Sequence, residues 1–194
     1  HQPKGEFTLT ALRIGVIAAL SLLAALVPQA AMGEERSCRG TLGATTVDNL
    51  KVPKGATCTL QGTKVKGTIT VRRGATLIAS NIKVVGNIQA ENHKKVVVNG
   101  ASRIGGSIQI KQGGAASVKN ARVKQDIQYD HNRKPLVASG NKVTGNIQVV
   151  GNRAGATISN NVVNGNLDCK ENSPAPTGGG NRVQGSKTDQ CERL

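Results

Sequence analysis

Six cations recur at a nearly constant interval: Lys64, Lys83, Arg103, Arg122, Lys142 and Arg182, with Val162 occupying the one position between the last two. If the chain winds with a period of 19 or 20 residues, these cations form a row of positive charge able to hold a polyanion. Neighbours spaced ~4.8 Å apart, as strands are, would repel by about 1 kcal/mol per pair in water. Salt lowers that figure. A row that costs stability is retained either because it binds an anion or because it keeps a sheet surface wet. In the second case the aliphatic stems cover the sheet and the heads stay in solvent. Glu91, His93, Asp130 and His131 are the one constellation with side chains suited to acid–base or metal chemistry. They fall at related corners two periods apart, and the plainer reading is a solvated corner. No nucleophile elbow, phosphate loop or metal-binding motif occurs.

Cys38, Cys58, Cys169 and Cys191 complete the reactive set. Their separations are 20 and 22 residues within the outer pairs. Stacked windings bring such residues about one strand spacing apart, within the ~4.4–6.8 Å between Cα atoms that a disulfide tolerates. The expected bridges are therefore Cys38–Cys58 and Cys169–Cys191, one at each end. Zinc is the rival reading, but no C-x-x-C pair is present.

What positions these residues is a repeat. Val143-Thr-Gly-Asn-Ile-Gln-Val149 recurs in edited form from Val65-Lys-Gly-Thr-Ile-Thr-Val71 to Val163-Asn-Gly-Asn-Leu-Asp-Cys169, centred on positions 67, 86, 106, 125, 145 and 165, with a remnant at 185. A fixed period of this size is the mark of a solenoid. Two residues before the centre lie Val65, Val84, Ile104, Val123, Val143, Val163 and Val183; two after it lie Ile69, Ile88, Ile108, Ile127, Ile147 and Leu167. Four after it lie Val71, Ala90, Ile110, Tyr129, Val149 and Cys169. Alternation with apolar residues on one face predicts a strand. The fixed period predicts parallel stacking. Gly55-Ala-Thr57, Gly74-Ala-Thr76 and Gly155-Ala-Thr157 mark a corner before a second strand, and Asn132, Asn152 and Asn172 mark another, as do Asn141, Asn161 and Asn181. Asn and Gly there are expected to supply left-handed backbone angles. Gln125 replaces the central Gly once and is expected to bend or bulge its strand. Thr70, Gln89, Gln109, Gln128 and Gln148 form an outward column whose amides are expected to bond along the stack.

The fold class expected is all-β: a single-stranded parallel β-helix of about seven coils, right-handed because the strict hexapeptide rhythm of left-handed coils is missing. A propeller would need blades about twice as long. Aromatics are only Phe7 and Tyr129, and there are 24 glycines. A thin layered core of small residues suits that composition. Residues 1–33 read as a secretory signal peptide: Lys4 and Arg13, an apolar run from Ile14 to Val27, then small residues. The run is short for a span, and an uncleaved anchor is the alternative. Residues 34–194 form the helical domain, divided into an N-terminal cap (34–60), a repeat body (61–170) and a C-terminal cap (171–194). Without the leader, 24 cations oppose 10 acids, a net charge of +14, so the basicity belongs to the folded part and bears on partners.

Asn161 to Cys169, running into Asn172-Ser-Pro-Ala-Pro-Thr-Gly-Gly-Gly-Asn181 and Asp189-Gln-Cys191, resembles a group of secreted, largely uncharacterised bacterial parallel β-helix proteins. The similarity covers about Cys38 to Cys191. More weakly, the repeat body is similar to the polymer-forming bactofilins, which are cytoplasmic and lack such cysteines. Neither resemblance carries catalytic residues, a cofactor or a metal. The function expected is an exported, non-catalytic structural or binding protein, secreted or at the cell surface. Its basic face would contact an anionic polysaccharide, cell-envelope polymer or lipid surface. Sequence-specific nucleic-acid recognition is not expected, for want of a module or an aromatic platform. The alternatives are a fibre subunit self-associating end to end, and a polysaccharide lyase or hydrolase.

Overall fold

The structure is a computed structural model that describes residues 33–194. The expected leader therefore lies outside the described residues, apart from Gly33. Among the described residues there is no helix; strands alternate with short turns. They assemble into three parallel sheets: sheet A with nine strands, sheet B with eight and sheet C with eight. One winding shows the path. Lys83–Val84 lies in sheet C, Ile88–Glu91 in sheet A and Lys95–Asn99 in sheet B, and Arg103–Ile104 re-enters sheet C beside Lys83–Val84. The chain is a parallel β-solenoid.

Register follows the period. Ile88 pairs with Ile69 on one side and Ile108 on the other; Ile127 pairs with Ile108 and Ile147. The sheet C file runs Val65, Val84, Ile104, Val123, Val143 and Val163. These side chains are buried and join one continuous hydrophobic cluster with the inward residues of the other two sheets. Solenoid stability is a sum over such neighbour contacts. The stack has about eight turns rather than seven, because residues 35–47 add strands to all three sheets. That first winding is short: Glu35 pairs with Asn49, an offset of 14.

Three expectations are corrected in detail. The repeat unit is not one strand. It breaks into Lys142–Val143 and Ile147–Val150, with the bend at Gly145. Glycine lets the backbones close up there, since a Cβ on Gly86 would stand 2.7 Å from the Gly67 carbonyl oxygen and one on Gly165 2.6 Å from that of Gly145, but the bend itself persists at Gln125, between Arg122–Val123 and Ile127–Asp130. The glycine column is thus the corner between sheets C and A, where backbones press together. Gln125 makes no bulge, since Arg122–Val123 pairs in register with both neighbours. Its N–H donates to the Gly106 carbonyl at 3.3 Å, against 2.9 Å from Gly86 to Gly67. Its side-chain Oε1 accepts from Ser107 Oγ at 3.2 Å, and that hydroxyl accepts from the Asp126 N–H at 3.2 Å.

The asparagine columns play a different part from the one expected. The left-handed residues are those just before them: His131, Gly151, Glu171, Gly140, Asn160 and Gly180. The asparagines themselves are buried and satisfy corner amides, which lack sheet partners where the chain turns inward. Asn152 Oδ1 accepts from the Asn132 N–H at 2.9 Å and from Asn132 Nδ2 at 3.1 Å, while Asn152 Nδ2 donates to the Tyr129 carbonyl at 3.0 Å. Gln190 ends this column, accepting from Asn172 N–H and Nδ2 at 2.9 and 3.0 Å. Asn141, Asn161 and Asn181 repeat the arrangement at the corner between sheets B and C.

Both disulfides are as expected, Cys38–Cys58 and Cys169–Cys191, with Cα separations of 5.5 and 5.2 Å. Neither is an in-register pair. Cys58 lies opposite Gly40, and Cys169 opposite Asp189. Each terminal cysteine sits two residues off and reaches inward at an end of the stack.

Candidate functional site

The basic column lies on sheet C. Strands there are two residues long, the first pointing outward and the second into the core, so a cation before each buried Val or Ile is forced to the surface. Lys64 pairs with Lys83, Lys83 with Arg103, Arg103 with Arg122, and Arg122 with Lys142. Val162 follows, then Arg182. All seven positions are exposed. Among the described residues, none of the six cations has an ion pair. Where the protein pairs a cation it does so elsewhere: Lys66 lies 3.0 Å from Asp48, holding that carboxyl below its ordinary range.

The column forms one bank of a shallow groove of about 660 Å³ along the sheet. Lys83, Arg103, Arg122 and Lys142 line that bank; Val85, Gly105, Lys124 and Thr144 line the other. Val85 is 59% exposed. Gly105 keeps the bank low, since a Cβ there would come within 2.3 Å of the Val85 carbonyl oxygen. The groove offers a cationic edge facing a low, partly apolar one. Arg103 and Arg122 at its middle present planar forks suited to carboxylate or sulfate.

The other columns behave differently. Gln89, Gln109, Gln128 and Gln148 donate amide to amide in succession at 3.1–3.2 Å, a structural ladder on sheet A. Glu91, His93, Asp130 and His131 are not brought together. Lys111 stands between Glu91 and Asp130 in the pairing order, and Asp130 contacts only the adjacent His131 among charged partners. His93 is 3% exposed. Among the described residues its ring nitrogens have no partner of ordinary hydrogen-bond geometry, and burial pushes its pKa down against a smaller opposing pull from the Ala115 and Gly114 backbone. No cluster of three metal-binding side chains occurs among the described residues.

Sequence reasoning missed a second set of cations at the corner between sheets A and B: Lys54, Arg73, Lys94, Arg133 and Arg153, all exposed. Their spacing is irregular because corner length varies and Gly113-Gly114 interrupts them. Only corner backbone bonds reveal the row, such as Arg133 N–H to the Gly113 carbonyl and Arg153 N–H to that of Asn132, both 2.9 Å.

Comparison with protein-family models, curated proteins and solved structures finds no match. The two bridges suggest an oxidising, extracellular setting. Among the described residues no helix is long and apolar enough to cross a membrane.

Proposed function

We propose that the chain is an exported, non-catalytic binding protein whose sheet C face holds an anionic polymer of the cell surface or extracellular matrix. The carrying observation is the row of six exposed cations, without ion pairs among the described residues, on one sheet of an otherwise hydrogen-bonded solenoid. Unneutralised charges at strand spacing repel one another, and a polyanion laid along the rod relieves that repulsion while gaining contact with each winding. The disulfides and the resemblance to secreted β-helix proteins support export.

Affinity for immobilised heparin and polygalacturonate, measured across a salt series, tests the reading. The chain should bind both, and binding should weaken steeply with salt. Replacing Lys83, Arg103, Arg122 and Lys142 with Gln should weaken binding at least about tenfold, roughly 1.4 kcal/mol, and flatten the salt dependence. Unchanged affinity in that variant would sink the proposal.

A further inference from the structure

The corner cations introduced above lie in a particular direction. Each winding passes through sheets A, B and C in turn, and all three send apolar side chains into one core. In a three-sided coil the corner joining A and B lies across the core from sheet C. The rod is thus basic on two opposite sides. Lys94 N–H bonds to the Ala75 carbonyl at 2.8 Å, Gly114 N–H to that of His93 at 2.8 Å, and Arg133 and Arg153 continue the stack. Lys94, Arg133 and Arg153 therefore stand in one row parallel to the axis, interrupted once at Gly114, while Lys54 and Arg73 are level with each other two residues earlier on the same corner, Arg73 beside Asn92. Of these cations, only the Arg133 side chain makes a hydrogen bond, donating to the Gln112 carbonyl at 3.2 Å. None has an ion pair among the described residues. The carboxylates on this corner are Glu91, Asp130 and Glu171, and Asp130 is engaged by His131.

We infer that the rod bridges two anionic polysaccharide chains, one along sheet C and a second along the corner between sheets A and B. The inference rests on the polyanion reading of sheet C and adds to it a second site and a consequence: cross-linking. A core separates the rows, and the strands are rigidly paired, so the two sites cannot merge into one. Two sites on one rigid body join separate chains whenever the geometry prevents one chain from occupying both. Charge complementarity is the argument for the occupant, which we take to be a sugar chain repeating a carboxylate or a sulfate group. Polygalacturonate and heparin represent these two chemistries.

The test is a pair of measurements on the purified chain with each polysaccharide. Calorimetric titration with short oligosaccharides should give two bound per chain. Mixing with long polymers should give turbidity that passes through a maximum and clears with excess polymer. Changing Arg73, Lys94, Arg133 and Arg153 to Gln should halve the stoichiometry and abolish turbidity, while the sheet C site keeps its affinity. The Lys83, Arg103, Arg122 and Lys142 variant should also halve the stoichiometry and abolish turbidity. All eight positions are exposed, and circular dichroism checks that each variant is folded. One bound oligosaccharide in the unmodified chain, or bundling that survives the corner changes, overturns bridging and leaves the sheet C reading intact. If neither variant alters binding, the sheet C reading fails as well. Two bound oligosaccharides without turbidity would mean that a single chain wraps the rod, and would also overturn bridging.

Discussion

His93 carries the clearest conflict between local chemistry and position. Its ring occupies the column continued by Gly113, Asn132 and Asn152, but among the described residues neither nitrogen has a partner of ordinary hydrogen-bond geometry. Burial lowers the folded-state pKa, whereas the unfolded imidazole titrates near ~6.5. Below that pH the unfolded chain binds a proton that the folded chain refuses, so stability falls as pH drops, by up to about 1.4 kcal/mol per unit from this group. Denaturant midpoints of the chain and of His93→Asn between neutral pH and mild acid should diverge, the variant losing less. A Cβ on Gly113 would stand 2.1 Å from His93 Nδ1. Gly113→Asn alone should therefore destabilise, while the double change to Asn at 93 and 113 extends the amide column. The coupling in that cycle should be favourable and exceed about 1 kcal/mol. Additive effects would show that the two positions do not compete for one space.

Among the elements, the corner columns and the outer glutamine column look alike in sequence but differ in consequence. Removing the Asn152 side chain takes the acceptor from the Asn132 N–H and one of two acceptors from Asn132 Nδ2, and takes the side-chain donor from the Tyr129 carbonyl, all inside the core. Asn152→Ala should therefore cost about 2–4 kcal/mol of unfolding free energy. Gln128→Ala breaks two bonds in the partly exposed amide row and should cost under about 1 kcal/mol. Equal losses would refute the distinction between buried and surface ladders. The period alone was enough to read the parallel stack, the aliphatic files, the cysteine pairing and the cation row on sheet C. In a coil of constant length, residues one period apart become neighbours, so Val84, Ile104 and Lys83, Arg103 were placed by counting. Counting failed where coil length or backbone direction changes. The bend at the central glycine was hidden because apolar residues on both sides of it keep even spacing. The corner ridge was hidden because the intervals among Lys54, Arg73, Lys94, Arg133 and Arg153 are uneven. His93 was read as a surface corner residue, although its column, shared with Asn132 and Asn152, pointed inward.

For the molecule as a whole, charge and end closure adjust a stability that rests on the stacked core. The unpaired cation row should make the protein more stable as salt rises, because screening weakens repulsion between stacked heads. Its thermal midpoint should climb with moderate sodium chloride, and climb further when heparin is bound. A midpoint that falls with salt would show that attractive surface pairs dominate. The two bridges close ends where strands lack a neighbour on one side. Replacing either pair with serines should cost about 2–4 kcal/mol, read from denaturant midpoints, and hydrogen exchange should rise first in the winding nearest the lost bridge. Exchange rising evenly along the rod would mean that the ends do not unzip independently.

Because the amide file at the corner between sheets A and B is capped by Gln190 and each asparagine does the same job as the next, a complete winding is interchangeable with its neighbours. Excising residues 133–152 would join Asn132 to Arg153 in phase and leave Gln190 still closing the file. The product should fold as a rod shorter by one strand spacing, ~4.8 Å. Duplicating the same segment should lengthen it equally. Such a series would be a molecular ruler, graduated in single sheet C cations, against which the reach of any bound polymer can be measured.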